Sequence, residues 1–291
     1  MIRPRELATG DSVLQLFPVR TPTLLPATHT NSYALGGREV LLVEPSTPYE
    51  DEQREWITWA RALESQGRTV VGIFATHHHP DHIGGAELLA RELALPIWAH
   101  AETASRMTAD VARLLEDGEE LVLAGPSDEV WRVLHTPGHA PGHVCLFAPE
   151  SRTVIVGDMV ASIGTILIAP GDGDMAVYLA QLERLRALGA SVALPAHGDP
   201  IPDPSALFAH YVRHRLAREE KIFAIFSRSS AASDADADLT LDELVGLSYD
   251  DVPPAIWPIA RLSVAAHLEK LVRDGRIAPS SARAEAFRVV R

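Results

Sequence analysis

Four side chains able to bind a metal fall within six residues. They are His77, His79, Asp81 and His82, in the run Thr76-His77-His78-His79-Pro80-Asp81-His82. Neutral imidazole and carboxylate suit zinc, which takes roughly three to five such donors. His77 and His79 are one residue apart, so on an extended segment they can point the same way, whereas His78 should point away. Pro80 limits backbone freedom. Gly84-Gly85 permits close backbone approach before a helix with Ala86, Leu89, Ala90 and Leu93 on one face. So dense a set is hard to explain as core or as solvated surface. Further candidates follow along the chain: His139 in His135-Thr136-Pro137-Gly138-His139-Ala140-Pro141-Gly142-His143, then Asp158, then His197 in Pro195-Ala196-His197-Gly198.

Rigid elements must position these groups. Strands are expected at residues 31–35 and 40–43, a helix near 50–66, and a strand at 70–74 that ends in the histidine run. The same order recurs: strands at 144–147 and 153–156, a helix near 174–188, and a strand at 192–194 that ends in His197. This reads as an internal duplication, each copy building one sheet with helices outside and the sheets packed face to face. The candidate ligands repeatedly follow short buried strands, and loops held by a rigid scaffold commonly carry catalytic groups. After His197 a long helix is expected to about residue 227, then a polar low-complexity linker over 229–238. From Leu239 the chain reads helix, turn, helix and hairpin. This divides it into residues 1–200, a catalytic domain; 201–238, the long helix and linker; and 239–291, a small C-terminal domain.

The run from His77 to His82, followed in order by His139, Asp158 and His197, resembles the H-x-H-x-D-H signature and later motifs of the metallo-β-lactamase superfamily, with metal motifs like those of glyoxalase II. The resemblance implies an α/β fold, a four-layer αββα sandwich. It implies two metal sites: His77, His79 and His139 at one, Asp81, His82 and His197 at the other, and Asp158 bridging. Two zinc ions would be the cofactor, with iron or manganese as alternatives, and a hydroxide between them would attack the substrate. Asp81 would orient that hydroxide or shuttle its proton. Gly157-Asp158-Met159-Val160, His214-Arg215 with Arg218-Glu219, Ala266-His267-Leu268-Glu269-Lys270-Leu271 and Thr30-Asn31-Ser32-Tyr33 further resemble the beta-lactamase-like protein two group, whose members include a single-strand RNA endonuclease and, among relatives, polyketide-releasing thioesterases. Glu44 is a departure, because relatives usually carry Asp there. The segment Leu268 to Ile277 resembles the helix and wing of a winged-helix module.

Composition narrows the function. The chain has 291 residues, 46% of them apolar, and a formal net charge of −13. That balance opposes non-specific binding to nucleic acid, which needs cations. Residues 239–291 carry seven Lys/Arg and seven Asp/Glu, so the winged helix lacks the basic face of a duplex reader. Packing against the catalytic domain or covering the active site is its favoured role. Cys145 is the lone cysteine, which excludes an intrachain disulfide and fits a reducing compartment. The first residues lack the apolar stretch of a signal peptide, and no run is long enough for a membrane span; a cytoplasmic protein is expected. The favoured function is a dinuclear zinc hydrolase of an ester or thioester, with a small-molecule or carrier-bound acyl substrate. A metal-dependent endoribonuclease acting on RNA, a mononuclear-iron persulfide dioxygenase and a non-enzymatic DNA-binding regulator are the alternatives. Outside the metal set, His100 and His135 read as structural, His210 and His267 as helix-surface residues, and His143 as either a support of the metal site or a strand-start residue.

Overall fold

The computed structural model describes residues 4–7, 12–232 and 238–290. One sheet of seven strands runs in chain order: β1 (Arg5–Glu6), β2 (Val13–Arg20), β3 (His29–Gly36), β4 (Glu39–Val43), β5 (Thr69–Phe74), β6 (Ile97–His100) and β7 (Val111–Leu115). A second has six strands in reverse order: β8 (Glu120–Leu123), β9 (Glu129–His135), β10 (Val144–Ala148), β11 (Thr153–Gly157), β12 (Val192–Pro195) and β13 (Ile201–Pro202). Helices α1 (Glu50–Ser65), α2 (Pro80–Ile83), α3 (Ala86–Leu93) and α4 (Ala101–Ala104) belong to the first half, and α5 (Met175–Ala187) and α6 (Pro204–Ala232) to the second.

Alternation along the strands builds four layers. Leu41 and Val43 face inward and meet Val133, Leu146, Ile155 and Leu194 of the second sheet. Val40 and Leu42 face outward, where Trp56, Trp59 and Leu63 of α1 cover them. Those helical residues fall three to four apart, and Glu50, Asp51 and Glu52 in the first turn suit the positive end of the helix dipole. On the far side, Val154 and Val156 of β11 pack under Tyr178, Leu182 and Leu185 of α5 and under Phe208 and Tyr211 of α6. The result is an αββα sandwich. The two halves share one local topology: β3–β4 and β10–β11 are antiparallel, and β4–β5 and β11–β12 are parallel pairs joined through α1 and α5.

The C-terminal part forms a winged-helix unit of α7 (Leu241–Ser248), α8 (Trp257–Arg273) and a small sheet of β14 (Leu239–Thr240), β15 (Ile277–Pro279) and β16 (Ala286–Val289). Thr240 and Glu243 form a reciprocal capping box at α7. The unit sits on the end of α6 through Ile222, Phe226, Leu244, Val264 and Leu268. Helix α6 extends into the expected polar linker, whose residues 233–237 lie outside the described residues. One expectation is corrected here. His267 is fully buried, not on the helix surface, because α6 crosses α8 at this point and sets Glu219 Oε2 3.4 Å from its Nδ1. Among the described residues no helix is long and apolar enough to cross a membrane.

Candidate metal centre

All seven sequence-predicted donors come together where β5, β9, β11 and β12 end. His77 Nε2, His79 Nδ1 and His139 Nε2 form a triangle with sides of 2.9, 2.9 and 3.2 Å. Beside it, His197 Nε2 lies 3.5 Å from Asp81 Oδ2 and 3.4 Å from Asp158 Oδ1, and His82 Nε2 lies 3.7 and 3.6 Å from the same two oxygens. Asp158 stands between the groups: its Oδ2 is 3.5 Å from His139 Nε2, while its Oδ1 faces His82 and His197.

A tetrahedral zinc with nitrogens at about 2.0–2.1 Å would hold them roughly 3.3 Å apart, close to the observed triangle. His82 Nε2 and Asp158 Oδ1 are buried without a hydrogen-bond partner, and orphaned buried polar atoms are costly unless something else satisfies them. The donors therefore fit the binding of divalent metal. Three further observations agree. Burial holds His77 well below the ordinary imidazole range and His139 at about 4, so their lone pairs stay free. Burial pulls His197 down as well, but the facing carboxylates of Asp158 and Asp81 outweigh it and lift the group to about 10. Burial likewise pushes Asp158 up, but His197 and His82 outweigh it and hold it well below the carboxylate range. The second group thus draws positive charge to itself.

Every ring is fixed by its other nitrogen, which sets the tautomer. His77 Nδ1 donates to Thr76 Oγ1 (3.0 Å), whose hydroxyl donates to Glu44 Oε1 (2.5 Å). His82 Nδ1 donates to the same Glu44 oxygen (3.0 Å). His139 Nδ1 donates to Leu167 O and His197 Nδ1 to His29 O. Glu44, at φ +63°, thus reaches the histidine loop with its longer side chain. His143 is a support of the site: its Nδ1 meets Thr136 Oγ1 (2.8 Å), and its Nε2 accepts the backbone N–H of Asp158 (3.1 Å). Gly138, at φ +127°, lets the His139 loop pass over α5, because a Cβ there would lie 2.4 Å from the Tyr178 backbone. Asn31 and Tyr33 of β3 hold the His197 loop through Pro195 O, and Asn31 also donates to Gly198 O.

Sequence reasoning missed Asp172. Its Oδ2 lies 2.5 Å from His79 Nε2 and its Oδ1 3.3 Å from His78 Nε2, so one carboxylate orients His79 and explains the outward His78. The Gly171-Asp172-Gly173-Asp174 turn was the available signal, an acidic segment before the α5 cap. A cavity of about 250 Å³ opens onto the centre. Leu24, Leu25, Ile163, Ile166 and Leu167 line it, and its ionisable wall consists of histidines and aspartates, with no lysine or arginine among the described residues.

A family model described as the Metallo-beta-lactamase superfamily matches residues 25–197, more than half of the chain. The chain belongs to the metallo-beta-lactamase superfamily. A second model, the beta-lactamase associated winged helix domain, matches residues 240–284. Within the superfamily the chain is similar to a beta-lactamase-like protein 2 homolog of Drosophila melanogaster, at 27% identity over 92% of this chain and 90% of that protein. It is also similar to Thioesterase pkgB of Emericella nidulans (30% identity, 68% of this chain, 54% of that protein). An atrochrysone carboxyl ACP thioesterase of Aspergillus chevalieri matches at 29% identity, over 77% of this chain and 69% of its own. Among solved structures, a metallo-beta-lactamase family protein of Thermus thermophilus aligns with a TM-score of 0.75 at 25% identity, covering 96% of this chain and 98% of that one. Another, a beta-lactamase domain protein of Burkholderia ambifaria, shares the fold at 20% identity with a TM-score of 0.79, over 99% and 93% of the two chains. The metallo-beta-lactamase fold, the His/Asp metal-binding groups and the thioesterase-named relatives together support a hydrolase.

Proposed function

We propose that this chain is a dinuclear zinc hydrolase of esters or thioesters, with a small-molecule or carrier-bound acyl substrate. His77, His79 and His139 would hold one ion, Asp81, His82 and His197 the other, and Asp158 both. Bound zinc supplies Lewis acidity, which acidifies water and polarises a carbonyl. The protein's own part is placement. Glu44, Asp172 and the carbonyls of Leu167 and His29 lock the imidazoles. Asp81 lines the cavity. Burial opposes its ionisation, but His82 and His197 hold it at about 2, so it stands ready as the carboxylate that orients water and passes on its proton. Leu24, Leu25 and Ile163 give the substrate an apolar approach. A reducing, cytoplasmic setting suits the single, buried Cys145.

The observation that carries this reading is the cavity wall. It joins a two-group metal centre to an apolar lip without a cationic side chain, which suits a neutral acyl group better than a polyanion. The test is a panel on zinc-loaded protein: an acyl thioester, a p-nitrophenyl ester, bis-p-nitrophenyl phosphate and single-stranded RNA, with His79→Ala as control. Turnover of a thioester or ester that is insensitive to salt and lost in H79A is expected. Cleavage of RNA alone, weakening steeply as salt rises, would replace this reading with the endoribonuclease. Metal analysis yielding one iron and no zinc would replace it with an oxygenase.

A further inference from the structure

Residues 204–218 of α6 contain three arginines, two histidines and no acidic residue, in a chain with 39 acidic against 26 basic side chains. Two of the arginines are engaged inside the protein. Arg215 is buried and donates to Thr165 Oγ1 and Ile166 O. Arg218 pairs with Asp251 and donates to Ser248 O. Arg213, exposed, makes no hydrogen bond or ion pair to another described residue. His210 and His214, one turn apart and exposed, present nearly parallel rings with centroids 6.3 Å apart.

These histidines line a small cavity of about 160 Å³ together with Gly164, Thr165 and Tyr211. Gly164 and Thr165 also line the cavity over the metal centre. One loop therefore separates two cavities. The inner one has an apolar lip and leads to the metal donors; the outer one offers imidazole N–H groups and a hydroxyl and, among the described residues, has no carboxylate in its wall. Tyr211 and Arg215 fasten that loop to α6: the Tyr211 hydroxyl lies 3.2 Å from both N and O of Ala161. The loop thereby keeps the two cavities in a set relation.

We propose that the outer cavity, with His210, His214 and the adjacent Arg213, is a phosphate-binding subsite for the phosphopantetheine arm of a thioester substrate. This rests on the thioester reading of the metal centre. An acyl group carried on a protein or on coenzyme A ends in a thioester joined through a pantetheine chain to a phosphate, which is the first of a diphosphate in the coenzyme. Its acyl end is apolar and its far end anionic, the order in which the two cavities are arranged. Charge-assisted hydrogen bonds to phosphate oxygens are the strong ones; Arg213 beside the cavity offers a charged donor, and the ring N–H groups of His210 and His214 with the Thr165 hydroxyl offer neutral ones.

The experiment compares acyl-pantetheine, acyl-phosphopantetheine, acyl-coenzyme A and an acyl carrier protein, all with one acyl group. In the parent, the phosphate raises kcat/KM about tenfold over acyl-pantetheine, mainly through KM. In the His210→Ala/His214→Ala double variant that ratio collapses towards one. The coenzyme A and carrier-protein arms show which source of the phosphate is used. Equal ratios in parent and double variant would overturn the subsite while leaving the thioesterase reading intact. Should the parent hydrolyse no thioester, that reading fails; the subsite is then judged by calorimetric binding of phosphopantetheine against pantetheine, and equal affinities overturn it. Loss of RNA binding in the double variant, with no discrimination between the two pantetheine compounds, would also overturn it.

Discussion

The two halves of the sandwich share a topology but supply their donors in opposite ways. The first half concentrates four of them, His77, His79, Asp81 and His82, on one turn after β5 and along α2. The second spreads three over three separate loops: His139 after β9, Asp158 after β11 and His197 after β12. The single turn is held by two carboxylates, Glu44 through Thr76 and His82, and Asp172 on His79. The three loops are held separately: Gly138 against Tyr178, His143 under Asp158, and Asn31 with Tyr33 on Pro195. The dispersed half should therefore be the more easily damaged by changes away from the donors.

The strongest challenge to this contrast is Asp158→Ala. Because its two oxygens face the two groups separately, its loss should lower activity roughly 10³-fold and reduce bound zinc below two per chain. Retention of both ions on elemental analysis would show that the groups do not share this residue. Next come the supports. Asp172→Asn, acting on His79 in the dense half, and His143→Ala, acting on Asp158 in the dispersed half, should each cost about 10- to 100-fold in metal affinity or activity. Chelator competition reads the difference, and a smaller effect for His143→Ala would reverse the proposed order.

A contact between α6 and α8 sets the scale for stability. Burial pushes Glu219 up, but His267 and Lys270 outweigh it and hold its carboxyl below the usual range. Its contribution should be present above the ordinary carboxyl pKa and disappear as pH falls through the lowered one. Glu219→Gln should cost about 2 kcal/mol at neutral pH, discounted for the partial exposure of Lys270, and should flatten the acid limb of a Tm-versus-pH curve. An unchanged limb would assign the acid sensitivity elsewhere. Smallest is Tyr33→Phe, which removes one buried hydrogen bond to Pro195 O and should cost about 1 kcal/mol in denaturant unfolding. A loss of zinc in that variant would mean the His197 loop depends on this single bond.

The same contrast explains what the sequence disclosed. The dense turn declares itself by spacing. His139, Asp158 and His197 are isolated in the chain and became legible through strand ends and through their order. Strands β11 and β12 and helix α5, beside Asp158 and His197, followed from alternation and helical spacing, whereas β9 before His139 was not anticipated. Strand β2 was not legible, because it is buried along most of its length and carries Pro18, so its residues do not alternate. Asp172 and the burial of His267 depend on which loop or helix passes over them, information that exists only after the layers have packed.

Neither half holds a complete set of donors. His77 and His79 reach His139 across the sheets, Asp81 and His82 reach His197, and Asp158 comes wholly from the second half. Strand β3 of the first half also grips the His197 loop of the second. A polypeptide cut between residues 83 and 138 would yield two fragments, neither of which carries the full donor set of either group. Zinc uptake would then act as a coincidence detector, registering only when both fragments have folded and met.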